Sequence, residues 1–387
     1  MRKHVQKLIH HQRDILSPEA VSGMTAAARK IQDAVRSKAD KATLEKEMQN
    51  AEDAAKKWLK PYPNAGVREN IEVFLVALTV AMGIRTFFLQ PFKIPTGSMQ
   101  PTLYGVTSEN LLKNPSVTIP TGWQRVREWF QGTSYIHKVA ENDGELEWES
   151  PLKLLIFNIK QTVWVGGKAQ IIWFPPDYGT VPLEARAQLE RHHYYHRGED
   201  VIKLRVRAGD HLFVDRVTYN FRPPKRGEII VFDTHGIENL PPDQQNTFYI
   251  KRLVGLGGET LQLHKDYMVV GVPQYGDVPV GHLVVDGKPI LATTPHFQNV
   301  YSFPGAQRGI DFIPYRENLY VGHALVRDLS PGQKVQVAPR HYFVMGDNTM
   351  NSSDSRYWGD FPEEKVIGKS FFVYWPITER FGWGYSP

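Results

Sequence analysis

The sequence predicts a mostly β domain carried behind one apolar helix and a polar, helical N-terminal segment. Three observations lead there. From Pro95 onward, short runs rich in Val, Ile, Phe and Tyr are broken by Gly and Pro. Between 71 and 92 lies an apolar stretch with hardly a charge, and before it Ala, Lys and Glu dominate.

Residues 1–70 place Ile31, Val35, Leu44, Met48 and Leu59 at roughly helical spacing, which predicts one or two amphipathic helices. Such a segment is either a solvated appendage or a helix that binds an unidentified partner or a membrane surface. In the next stretch, Val73 to Ile84 carries no charge, and apolar character resumes from Thr86 after Arg85. The uncharged run alone is shorter than the roughly 20 residues of a membrane span. Arg85 near one end can snorkel, so a transmembrane anchor is expected over 71–92, with a buried core helix of a soluble domain as the alternative that hydropathy alone leaves open. The polar stretch before it is too long for the n-region of a cleaved signal, so the anchor is expected to be retained. Lys56, Lys57, Lys60 and Arg68 precede it, which puts the N-terminus in the cytoplasm and the remainder outside. Phe157 to Phe174 is interrupted by Lys160 and Lys168 and is not read as a second span.

Residues 93–387 hold the strand-like runs His211–Val217, Glu228–Asp233, Thr260–His264, His341–Met345 and Lys369–Trp375. Two stretches, about 106–205 and about 267–340, lack legible motifs and read as insertions or a second subdomain. The formal charge of +5 is spread among acidic residues without basic runs, so nucleic acid is set aside as a partner. The sequence has no cysteine, which leaves oxygen or nitrogen nucleophiles only. No metal and no organic cofactor is expected. His192, His193 and His196 lack a convincing acidic partner and read as solvated surface.

Three strings could carry chemistry. Pro95-Thr96-Gly97-Ser98-Met99-Gln100-Pro101 holds a serine in a conformationally restricted loop, although alone such a string is more often an ordinary loop. In Tyr249-Ile250-Lys251-Arg252-Leu253, followed by a Gly-rich turn, a strand could carry Lys251 inward; by itself an exposed strand lysine is the simpler reading. The turn does not have phosphate-loop spacing. Gly346-Asp347-Asn348, followed by Ser352-Ser353-Asp354-Ser355-Arg356, reads as a loop held by side-chain hydrogen bonds. Its spacing is wrong for an EF-hand calcium site.

Taken together and in this order, the strings resemble the type I signal peptidases, the bacterial leader peptidase family. Gly209-Asp210-His211 through Arg216 and Pro224-Lys225-Arg226 through Phe232 resemble strands of that family. The resemblance covers about a third of the chain. It implies a signal-peptidase-like antiparallel β catalytic domain, in a bacterial inner (plasma) membrane protein that crosses once. It further implies Ser98 as nucleophile, Lys251 as general base, and Ser352 orienting the lysine. Thr96 would join the Ser98 amide in the oxyanion hole, with Asp354 and Arg356 as supports. The family commonly has Ser where Thr96 stands, a change that keeps the hydroxyl. Ile94, Pro95, Met99 and Tyr249 are the candidate walls for small substrate residues. The implied partners are the lipid bilayer and the signal peptides of exported preproteins, cut after an Ala-x-Ala-type site. The chemistry requires a lysine brought far below its free pKa of about 10.4, which burial supplies.

Overall fold

Ser17 caps the helix Pro18–Arg36 by accepting a hydrogen bond from the Ala20 amide, and Pro18 fills a first-turn position where its missing N–H is not needed. The computed structural model describes residues 2–59, 64–114, 116–154, 157–301, 311–316 and 319–383; Lys60 lies outside them. The chain divides into two compact units, Met1–Ala81 and Met82–Pro387. Where one or two N-terminal helices were expected, the described residues form three before the apolar helix: Arg2–His11, Pro18–Arg36 and Lys41–Trp58. The Ser17-Pro18 start and the left-handed Lys38 (φ 51°) break the periodic pattern into separate pieces. Their apolar faces close on each other through Val5, Ile9, Leu16, Ala20, Met24 and Ala28, joined by Trp58 and Leu59.

The apolar helix runs Ala65–Phe87, and among the described residues it alone is long and apolar enough to cross a membrane. At roughly 1.5 Å per residue, the 22 residues Gly66–Phe87 extend about 33 Å, against a hydrocarbon core of ~30 Å. Val73, Phe74, Val76 and Val80 are all exposed. The expected anchor boundary at Phe92 is corrected here. The helix stops at Phe87, and Leu89–Lys93 forms a strand instead. Pro91 explains the change, because it cannot continue a helix and is tolerated on the edge strand it occupies.

The second unit is built of mostly antiparallel sheets. Its main sheet orders Leu89–Lys93, His211–Asp215, Val366–Trp375, Ile229–Asp233, Phe248–Leu256, His341–Met345 and Phe361–Pro362, with Gly382–Trp383 added to Val366–Trp375. Ile230, Phe232, Leu253, Val344 and Phe361 fill one apolar cluster, and Ile94, Met99, Leu103, Leu212, Val231 and Val373 fill another. Burying each such side chain contributes roughly 1.5–3 kcal/mol. A second sheet is built on the long hairpin Thr260–Val272 and Gly276–Val285, and shares a core with Val254, Phe343 and Met345 of the main sheet.

The stretch 106–205, which the sequence left unread, contains real sheet structure. Thr107–Asn110, Asp200–Arg207 and Thr133–Val139 make a three-stranded sheet, and a five-stranded sheet is built around Phe157–Val165. Together they enclose their own core, including Ile136, Leu146, Val163, Val201 and Leu204.

Candidate active site

Ser98 sits on the loop that follows the edge strand Leu89–Lys93, and the loop is tied down from both sides. Ile94 and Met99, 2% and 0% exposed, anchor it in the apolar cluster beneath. From the loop after His341–Met345, the Asn348 amide donates to the Ser98 carbonyl at 3.0 Å, and Asn348 Nδ2 donates to the Gly97 carbonyl at 3.0 Å. Two glycines make these approaches possible. A Cβ on Gly346 would lie 2.5 Å from the Ser98 carbonyl oxygen and 2.3 Å from Ser352 Oγ; one on Gly105 would lie 2.1 Å from the Thr96 carbonyl.

Lys251 comes from the strand Phe248–Leu256, where it pairs with Ile230 on one side while Arg252 pairs with Met345 on the other. Successive strand residues point to opposite faces, so Lys251 shares its face with Tyr249 and Leu253. Its Nζ lies 2.6 Å from Ser98 Oγ, and both residues are 5% exposed. Burial lowers the Lys251 pKa to about 8; Asp354 pulls it upward, Arg356 downward, and Asp347 upward. Desolvation wins because both nearby carboxylates are already engaged. Asp354 takes a bidentate pair from Arg356 (2.8 and 2.7 Å), the Gly346 amide at 3.0 Å and the Ser352 hydroxyl at 2.7 Å. Asp347 is paired with Arg252 at 2.7 and 2.6 Å, and also accepts from Thr102 Oγ1. Both ion pairs are fully buried.

Arg356 extends the network to Thr349 Oγ1 at 2.7 Å and the Ala324 carbonyl at 3.2 Å. Ser352 gives its proton to Asp354 and makes no hydrogen bond to Lys251 among the described residues. Thr96 and Pro95 are exposed beside Ser98, and the Thr96 hydroxyl has no partner among the described residues. Tyr249 is half-buried, its hydroxyl donating to Gln244 Oε1 at 2.7 Å and its ring centroid 5.3 Å from Lys251 Nζ.

Thr102, Arg252 and the spacing glycines Gly105 and Gly346 were not singled out from the sequence, and Asp347 and Asn348 were weighed only as part of a hydrogen-bonded loop or as calcium ligands. Arg252 had a signal in its position directly after Lys251. His192 and His196 do have acidic neighbours, contrary to expectation: Glu145 at 3.0 Å and Asp143 at 3.6 Å. These are two separate pairs, which do not converge.

Residues 67–115 and 202–375, more than half of the chain, match the sequence model of signal peptidase, peptidase S26. The unmatched stretch between them holds the five-stranded sheet. Signal peptidase I of Leptolyngbya laminosa is 28% identical over 45% of this chain and 64% of its own length. That of Aquifex aeolicus (strain VF5) is 29% identical over 43% and 70%, and that of Pseudomonas aeruginosa 28% identical over 45% and 62%. The chain thus spans somewhat less than two thirds of the first of these relatives. A solved signal peptidase I from Enterococcus faecalis V583 is 25% identical over 38% of this chain and 97% of that one, with a TM-score of 0.24, too low to bear on the fold. The matched segments carry Ser98, Lys251 and the ion-paired loop at Asp354, and the chain belongs to the signal peptidase family, peptidase S26.

Proposed function

We propose that this chain is a membrane-anchored serine endopeptidase that removes N-terminal signal peptides from exported preproteins after an Ala-x-Ala-type site. The observation that carries the reading is the 2.6 Å contact between Ser98 Oγ and a lysine whose pKa burial brings to about 8. A neutral Lys251 takes the Ser98 proton as Oγ attacks the scissile carbonyl. The oxyanion is received by the Ser98 amide and the Thr96 hydroxyl, where one donor is typically worth about 2.7–4 kcal/mol. The lysine then returns its proton to the departing amine nitrogen, leaving an acyl ester on Ser98. Water, activated by the same lysine, breaks the ester. Asp354 and Arg356 position the loop, and by occupying each other they leave Lys251 without a carboxylate of its own.

The substrate assignment rests on the family and on placement along the chain. Only the strand Leu89–Lys93 intervenes between the apolar helix and the Ser98 loop, which suits cleavage beside a bilayer. Pro95 and Tyr249 are the reachable walls for small side chains, with Ile94 and Met99 as the apolar floor. The anchor crosses a bacterial plasma membrane once, N-terminus in the cytoplasm, in accord with the lysines before it. The test is to incubate the detergent-solubilised chain with a preprotein and sequence the product N-terminus. Cleavage after the second Ala, lost when that Ala is replaced by Lys, is expected. Cleavage elsewhere, or indifference to the replacement, would overturn the substrate assignment.

A further inference from the structure

The hairpin Thr260–Val272 and Gly276–Val285 carries a side-chain cluster that the peptidase chemistry does not use. His264 and His282 are direct cross-strand partners, with imidazole rings 5.0 Å apart and tilted by only 27°. Asp266 stands on the same face two residues along, beside a register shift between Lys265 and Tyr267. Gly281 permits that irregularity, since a Cβ there would lie 1.7 Å from the His264 carbonyl oxygen and 2.8 Å from the Asp266 amide. The result is convergence. His264 Nδ1 is 3.1 Å from Asp266 Oδ1, and His282 Nδ1 is 2.9 Å from both Asp266 oxygens.

We propose that His264, Asp266 and His282 bind a divalent first-row transition ion, zinc foremost, with the remaining coordination position open to solvent. Two imidazole nitrogens and one carboxylate oxygen suit zinc, whereas calcium and magnesium call for oxygen alone. Bonds of roughly 2.0–2.1 Å place tetrahedral ligand atoms about 3.3 Å apart, close to the separations already present. All three ligand atoms lie within 4.8 Å of one another, so only side-chain adjustment is required. The ion would replace the ring-to-carboxylate hydrogen bonds, each neutral imidazole binding through Nδ1 with its single proton held on Nε2. His264 is largely exposed, which leaves a route for the ion to enter. The histidines at 192 and 196 lack this geometry, because each faces a different carboxylate. Bound zinc would clip the two strands in register and stabilise the folded chain by mass action.

The experiment uses the full chain in detergent, free of any histidine tag and stripped with chelator, then titrated with zinc chloride against a competing dye. One zinc per chain is expected, with the thermal unfolding midpoint rising as zinc is added. His264→Ala and His282→Ala should each weaken binding by at least about tenfold and abolish the shift in midpoint. Asp266→Asn, which keeps the shape and loses the charge, should weaken binding even if a histidine variant fails to fold. His192→Ala with His196→Ala should leave the titration unchanged. Absence of zinc binding by the parent, or binding that survives in His264→Ala, His282→Ala and Asp266→Asn alike, would overturn the proposal.

Discussion

Lys251 is an unfavourable residue for the fold and, on the proposed function, an indispensable one for the chemistry. Its pKa falls to about 8 in the folded chain, against about 10.4 when unfolded. Between those values the unfolded chain holds a proton that the folded chain has released, so this group makes stability rise with pH across the window. Below pH 8 the buried ammonium costs about 3 kcal/mol in full. Lys251→Met should therefore hold or raise the unfolding midpoint at neutral pH while removing activity. Calorimetry beside a peptide assay checks both halves, and a clearly less stable variant would contradict the reading. The same pKa sets the reaction's pH dependence: kcat/KM should rise with pH and level off above about 8. Asp354 opposes that lowering, so Asp354→Asn should shift the rising limb to lower pH. It should also cost about 3–5 kcal/mol in chemical unfolding, because Arg356 is left buried without its countercharge. Ser98 and Lys251 could be singled out in the sequence only by taking the three strings together and in order, since each string alone favoured an ordinary loop or an exposed strand lysine. The engagement of Asp347 by Arg252 and Thr102 was not legible, since those partners lie far apart along the chain and only the folded sheet brings them together.

At the scale of elements, the Ser98 loop depends on close backbone approach. Gly105 adopts no left-handed conformation, so the effect of Gly105→Ala is purely steric: its methyl group meets the Thr96 carbonyl. It should lower kcat more than it raises KM, since on the proposed function the displaced groups meet the oxyanion rather than the substrate flanks. An unchanged kcat would mean that Thr96 lies outside the oxyanion site. The strands were readable as short β-branched and aromatic runs between turn residues, and five of them lie where those runs place them. The end of the apolar helix was misjudged because Phe88, Leu89 and Phe92 are as apolar as the helix itself. Hydropathy does not distinguish an anchor from an edge strand there; Pro91 does. The His264, Asp266 and His282 cluster escaped notice for a related reason, since cross-strand register alone unites it.

For the whole molecule, three helices pack on themselves before the apolar helix, and the sheets of 106–205 form a core of their own beyond it. The sequence showed that these regions differ from the motif-bearing strands, but not what shape they take, because their apolar residues serve a local core without marking any chemistry. Membrane attachment should rest on the apolar helix. Val76→Lys with Val80→Lys, each costing roughly 2.5–3.5 kcal/mol at the centre of a span, should move the protein from the membrane fraction to the soluble one. Retention in the membrane fraction after an alkaline wash would locate the attachment elsewhere. The most direct measurement of the central claim is the rate at which the purified chain, Ser98→Ala and Lys251→Met cut one preprotein under identical conditions, read by product mass. Cleavage by the parent, with loss of at least about a thousandfold in each folded variant, is the outcome a Ser98–Lys251 pair predicts. Substantial cleavage by either variant would contradict it.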